Sequence, residues 1–482
     1  MKPGPSSERR HTGKDPGGRV GVAVVYPGPA REGMASLALH GIHQLVNQNP
    51  RARCERVFNE QAPPRSVESR RLLSSFDLLA FTVAFEEQWA LLPRMLKSAG
   101  IPPRFCDRNQ SHPVVLVGGI AARLNPAPAG RFADLTVGGD AECVLPEILE
   151  RLEQGRGESR EKLLASLSGI EGAPRYENAG APVAQRIFDP PSSFNRMVLV
   201  ETGRGCPAGC RFCAVAHTRR PPVFFPAAAV LEAAREGMAL GKRVGLVGAS
   251  LSRHPDLLQM VEGLAESGAD FSPASLGPAA LVGPAGESLL RHLERSRQRT
   301  VTLAPETGSK RLQKLIGKPL VEGVFEQAVR GLGEAGVLHL KLYLMYGLPK
   351  EEAADLRDSV DLVARARKWL LSGQRSRGRT GRLTVSINPF VPKPYTPLGD
   401  EPMPPLAELR KKRKMLSNGL RRLGGVSVSG LSPRAAIWQC LLDRGDDRLG
   451  DLLEQSSDRW PPPAGLVDEV IPAWREVVFG RG

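Results

Sequence analysis

The chain has 482 residues, a formal net charge of +15, 41% hydrophobic and 24% charged residues, and seven cysteines. That length suits roughly two to four domains with sizeable cores. The cysteine usage is unlike a secreted disulfide framework, and no apolar run approaches the roughly 18 residues of a membrane span. With no signal-like apolar stretch near Met1, the expected setting is a reduced cytoplasm without membrane insertion. The basic balance suits RNA as a partner, and equally an arginine-rich composition without that meaning.

Residues 1–18 are polar, basic and rich in Gly and Pro, which predicts a disordered tail. Between residues 19 and 152, apolar runs at Val20–Tyr26, Leu78–Val83, Pro113–Val117 and Leu135–Val137 read as strands. They alternate with helical patterns at Gly33–Asn47, Phe85–Ala99 and Cys143–Leu152. Such alternation predicts an α/β, doubly wound, Rossmann-like domain. Residues 153–195 read as a polar linker with one short helical piece near Glu161–Leu167.

Six more strands follow, at Met197–Val200, Val244–Val247, Ala269–Leu276, Thr300–Ala304, Leu338–Met345 and Leu383–Asn388. Helical segments such as Pro226–Leu240, Pro255–Glu266, Gly308–Ile316 and Val324–Ala335 lie between them. Six βα units over residues 196–398 predict a barrel-like arrangement with its working groups at the C-terminal strand ends. Residues 399–482 read as a small α-rich extension.

The most informative stretch runs from Gly203 to Cys213. It sets Cys206, Cys210 and Cys213 in a C-x3-C-x2-C spacing just past the first barrel strand. Gly205 and Gly209 allow tight turns between the thiolates. Three cysteines can hold a cubane iron–sulfur cluster and leave its fourth iron open, as catalytic metal sites keep an open position. Zinc is the competing reading, and it would require His217 as the fourth ligand.

With Phe212 before the last cysteine, this motif resembles the signature of radical S-adenosylmethionine (SAM) enzymes. The resemblance implies a partial (β/α)6 barrel and a [4Fe–4S] cluster on Cys206, Cys210 and Cys213. It also implies SAM bound at the open iron and its cleavage to a 5′-deoxyadenosyl radical. An electron donor such as flavodoxin or ferredoxin belongs to the same expectation. Further positions align with SAM-binding segments of the family. Gly248 and Ser250 stand where many relatives have Gly-Gly-Glu, Glu306 where a glutamate faces the ribose or amino group, and Gly347 in the turn beside the adenine. Arg311 reads either as a partner of the SAM carboxylate or as a surface charge.

The N-terminal half resembles the cobalamin-binding domain of one radical SAM subgroup. The matching pieces are Ser74–Leu79, Val117-Gly118-Gly119, Asn125-Pro126 and Val137–Glu142. Where that subgroup often supplies a cobalt-ligating histidine, this chain has Pro27–Gly33 and none. His40 and His43, inside the following helix, read as packing or surface residues. Two readings stay open: cobalamin bound without a protein histidine, or the fold kept without the cofactor. The resemblance implies methyl transfer if cobalamin is bound. The alternatives are radical SAM modification of RNA without cobalamin, and a non-catalytic iron–sulfur redox sensor.

Lys341, Tyr343 and Met345 share one face of the fifth strand by period-two alternation, so Lys341 needs either a carboxylate partner or a place in the substrate space. Basic clusters at Arg365–Arg382 and Leu409–Arg422 read as solvated faces or as RNA-steering surfaces.

Overall fold

The run Val20–Tyr26 forms strand β1, buried at all seven positions, and it is an inner strand of the first of two compact units. The structure is a computed structural model that describes residues 19–170, 180–194, 197–240, 243–378 and 380–480. The tail expected at 1–18 lies outside these residues, as do Arg196 and Arg379. Strand β2 is Ala52–Phe58, β3 Leu78–Thr82, β4 Val114–Gly118 and β5 Leu135–Val137. They form one parallel sheet in the order β2-β1-β3-β4-β5. Every residue of β3 is buried as well, as expected of a parallel sheet covered on both faces. The order reverses between β1 and β3, which puts a crevice at their C-terminal ends.

Strand β2 was not predicted, because Arg53, Glu55 and Arg56 interrupt its apolar pattern. Burial is made tolerable by pairing. Ser69 Oγ donates to Glu55 Oε2, and Arg56 Nε lies 2.6 Å from Glu68 Oε1. Arg108 and Asp134 form another ion pair at 2.9 Å, with both side chains fully buried. Asp134 also receives Arg160 and the backbone N–H of Val115.

The predicted domain limits need correction at the C-terminal end. Residues 446–466 group with this first unit and not with the barrel. The helix Arg448–Gln455 packs beside Leu91–Ser98 and the turn Ala127–Ala129. It buries Leu449, Leu452 and Leu453, and it pairs Asp451 with Arg131 at 2.7 Å and Glu454 with Arg104 at 2.8 Å.

The second unit comprises residues 181–187, 194–445 and 467–482. Its strands are β6 (Met197–Glu201), β7 (Gly203–Arg204), β8 (Val223–Phe224), β9 (Arg243–Val247) and β10 (Phe271–Pro273). They continue with β11 (Thr300–Glu306), β12 (His339–Tyr346), β13 (Arg382–Pro389) and β14 (Val426–Ser429). Parallel sheets β10-β9-β6 and β11-β12-β13-β14 make up the barrel wall. The Leu276 N–H donates to Thr302 O across the seam at 3.1 Å.

All six predicted barrel strands are present. β10 is shorter than expected and ends at Pro273, whose nitrogen cannot donate to a ladder. β14 adds a seventh wall strand beyond residue 398, inside the segment read as an α-rich extension. The β6 edge is met by residues 183–185, antiparallel, through Gln185 N to Leu199 O and Glu201 N to Val183 O, both 2.8 Å. Part of the supposed linker is therefore an edge cover. No helix among the described residues is long and apolar enough to cross a membrane.

The barrel strands alternate. On β12, Leu340, Leu342, Leu344 and Tyr346 are fully buried, whereas Lys341, Tyr343 and Met345 are half-exposed. The first set lies beneath the helices Ala353–Gln374 and Leu406–Arg421. The second set faces the barrel lumen.

Candidate active site

Thr202 follows β6 and begins the framework of the cysteine loop. Its N–H donates to Val247 O at 2.8 Å, and its carbonyl accepts from Phe225 N at 3.0 Å. β7 and β8 then pair antiparallel, Gly203 with Phe224 and Arg204 with Val223, which closes the loop at its base. Buried His254 fastens this closure. Its Nδ1 accepts from Asp256 N, so Nε2 carries the proton and donates to the carbonyls of Thr202 and Phe225 at 3.1 and 3.0 Å. Arg204 forms a two-pronged pair with Glu201, at 2.7 and 3.0 Å.

Within the loop, Gly205 and Gly209 have φ of +77° and +66°, a region that other L-residues enter at a cost. The three cysteines are free thiols, with Cys210 buried and Cys206 and Cys213 half-buried. The Arg211 N–H donates to Ile316 O at 2.9 Å, and Arg211 O accepts from Leu398 N at 3.1 Å. Phe212 packs against an apolar cluster of Leu312, Ile316, Leu348, Phe390 and Leu398. The loop is thus held at its base by His254 and at its tip by Leu398 and the C-terminal end of the helix Lys310–Leu315. Among the described residues, no three His, Cys, Asp or Glu side chains converge as ligands to one metal ion. A cubane makes a different demand, because each cysteine takes its own iron.

His217, the fourth ligand a zinc site would need, is already engaged. Its Nε2 lies 3.0 Å from Cys210 O and its Nδ1 3.1 Å from Arg220.

Glu306 ends β11 after a register shift that begins at Leu303. Its φ is +66°, an uncommon state for a non-glycine and one that clusters at functional sites. The carboxylate is buried and meets Lys318 Nζ at 2.8 Å through Oε1. Oε2 accepts no hydrogen bond among the described residues. Burial raises the Glu306 pKa, and Lys318 opposes the rise. Burial also raises the Cys210 thiol, and Lys318 lowers it, while Cys213, Cys206 and Glu306 act to raise it. The three thiols, Glu306 and Lys318 therefore share one electrostatic neighbourhood. Lys318 favours the thiolate, which is the ligand form. Sequence reasoning missed Lys318 and His254, since neither stands in a motif.

The remaining predicted residues divide. Gly248 sits at the end of β9, where an added Cβ would come within 2.4 Å of Thr202 Oγ1. Ser250 is half-buried, and its carbonyl accepts from Arg253 N at 2.9 Å. Gly347 has φ +78°, and its N–H is taken by Glu351 Oε2 at 2.7 Å. Arg311 pairs with Asp355 and donates to Lys350 O. Asp355 also receives Ser309 Oγ and Glu352 N, which makes it an anchor for the helix Lys310–Leu315.

In the first unit, the loop Pro27–Gly33 contains no histidine, and His40 and His43 are buried as the packing reading expected. His40 Nε2 lies 3.1 Å from Met34 O, and His43 lies 3.6 Å from Glu68. Phe85 and Ile120, just past the C-terminal ends of β3 and β4, are 53% and 37% exposed.

Comparison with known proteins agrees with this geometry. Residues 200–363 match the Radical SAM superfamily, and residues 38–174 match the family described as "Radical SAM proteins, N-terminal". Residues 200–363 therefore carry a radical SAM domain. An uncharacterized protein of Methanocaldococcus jannaschii is 25% identical over 449 residues, covering 91% of each chain. Among solved structures, the cobalamin-dependent SAM radical enzyme OxsB in its apo form resembles the chain with a TM-score of 0.53 and 13% identity. That likeness covers 91% of this chain and 66% of OxsB. The radical SAM methyltransferase TsrM from Kitasatospora setae gives 0.51 at 15% identity, covering 80% of this chain and 76% of TsrM. At such identities the likeness is one of fold. The chain spans just under two thirds of the OxsB chain.

Proposed function

We propose that Cys206, Cys210 and Cys213 hold a [4Fe–4S] cluster and that the protein uses SAM to start radical chemistry on a substrate in the barrel lumen. The observation that carries this reading is the meeting of the cysteine loop with the buried Glu306–Lys318 pair at the end of β11. When bound, such a cluster supplies one electron for reductive cleavage of the SAM sulfonium. Lys318 favours the ligating thiolate of Cys210. Glu306 Oε2 is free to accept hydrogen bonds from the hydroxyls or ammonium of SAM. Phe212 and the apolar cluster behind it keep water from the loop. Gly248, Ser250 and Gly347 line this reading as SAM-facing backbone positions at the ends of β9 and β12. A low-potential electron donor of the flavodoxin or ferredoxin kind belongs to it, as does a cytoplasmic setting.

The finer reading is cobalamin-dependent methyl transfer. The β1/β3 switch point supports it, because Phe85 and Ile120 offer apolar surface for a corrin beside that crevice. Neither His40 nor His43 is placed to reach cobalt there, since both are buried and engaged.

The test is anaerobic reconstitution with iron and sulfide, with and without cobalamin, followed by assay of 5′-deoxyadenosine release from SAM under a strong reductant. Cluster absorbance and deoxyadenosine release are expected, both lost in Cys206→Ala, with cobalamin retained. Cleavage without retained cobalamin would shift the reading to a cobalamin-independent reaction, with RNA as the substrate class to try first. A cluster that never cleaves SAM would make the protein a redox sensor. Absence of any cluster would overturn the proposal.

A further inference from the structure

On the four-stranded wall of the barrel, neighbouring strands are in parallel register, so paired residues face the same way. Thr302, Lys341, Thr384 and Ser427 are paired in sequence across β11, β12, β13 and β14, and so form one layer of the lumen. The next layer toward the C-terminal end carries Tyr343, Ser386 and Ser429. Every polar side chain in these two layers is a hydrogen-bond donor, and none is a carboxylate.

Lys341 is the one charged member. It is half-exposed, and its ammonium lies 4.9 Å from the centroid of the Tyr343 ring. Among the described residues it has no carboxylate partner. Of the two ways to hold a lysine on a barrel strand, an acidic partner or a place facing substrate, the structure leaves the second. The hydroxyls of Thr302 and Tyr343 make no hydrogen bond among the described residues, while Thr384 and Ser427 share one at 2.9 Å. An ammonium beside uncommitted hydroxyls is a receptor for an oxyanion.

We propose that the lumen binds its substrate through an oxyanion, a carboxylate or a phosphate, held by Lys341 with Tyr343 and Thr302 as neutral donors. This gives the substrate class for the radical SAM reading and rests on it. The ring of Tyr343 holds the ammonium by a cation–π contact until the anion arrives.

The test follows Lys341 directly. Lysines of the reconstituted protein are reductively methylated with a 13C label and observed by NMR, with the Lys341 signal assigned by its absence from Lys341→Arg and, independently, from Lys341→Gln. Inorganic phosphate and acetate are titrated separately against chloride at matched ionic strength. The expected result is a saturable shift of the Lys341 signal that the other lysines do not share. Response to phosphate alone identifies a phosphate-bearing substrate, and response to acetate alone a carboxylate. A Lys341 signal that moves no further with either anion than with chloride would overturn the proposal. The same titration on Cys206→Ala separates the two readings: a preserved response there, with no deoxyadenosine release from the wild type, would sink the radical SAM reading and leave the oxyanion site standing.

Discussion

The N-terminal sheet and the four-stranded wall of the barrel are built to opposite plans. In the N-terminal sheet, β1 and β3 are buried at every position, so both faces are core. In the barrel wall, β12 alternates buried leucines with half-exposed Lys341, Tyr343 and Met345. A sheet buried on both sides has no interior to offer a ligand, and its chemistry is confined to the loops past its strand ends. A wall with one free face keeps a lumen, and polar side chains there are tolerated for what they bind.

The sharpest way to break this comparison is to disturb the buried charges of the first sheet. Asp134→Asn leaves Arg108 buried beside a neutral partner and should destabilise the N-terminal unit by about 3–5 kcal/mol. Urea unfolding followed by region-resolved hydrogen exchange would read it, and a loss below about 1 kcal/mol would show that the pair is not part of the core's integrity.

The second contrast lies within one strand. Leu342→Ala, on the helix-covered face, should cost about 2–5 kcal/mol, whereas Tyr343→Ala, on the lumen face, should cost less. Equal losses would mean that the lumen face is packed as core.

The third contrast is in acid. Burial lowers the His40 pKa from its ordinary 6.5 to about 4, so the fold favours its neutral form. That contribution is complete above pH 6.5, lost as pH falls toward 4, and worth up to about 3 kcal/mol. Glu68 is held near 2 by His43 and Arg56 against the upward push of burial, so its contribution fades below 4.5. Exchange protection of the helix Leu37–Gln48 should therefore fall between pH 6.5 and 4 ahead of the barrel helices. Simultaneous loss in both units would contradict it.

Much of this was legible in the residues themselves. Cys206, Cys210 and Cys213 announce their chemistry through spacing, and apolar runs such as Val20–Tyr26 and Leu383–Asn388 announce strands. What stayed hidden depends on partners distant in the chain. β2 hides its strand character behind Glu55 and Arg56, whose burial makes sense only beside Ser69 and Glu68. β14 reads Val-Ser-Val-Ser, too short and polar to stand out. Lys318 matters because the turn after the helix Lys310–Leu315 returns to Glu306, and Arg311 is claimed by Asp355, a residue in another helix. Periodicity sees faces, and it does not see who stands opposite.

The helix Arg448–Gln455 carries a consequence for how the protein is made. A ribosome releases the N-terminal sheet long before residues 446–466 exist, and the whole barrel is synthesised in between. Until then Arg104 and Arg131 lack Glu454 and Asp451, and the apolar seat of Leu449, Leu452 and Leu453 stays open to solvent. The first unit to emerge thus waits for a segment made after residues 194–445 of the second, and it must be shielded from aggregation in the meantime.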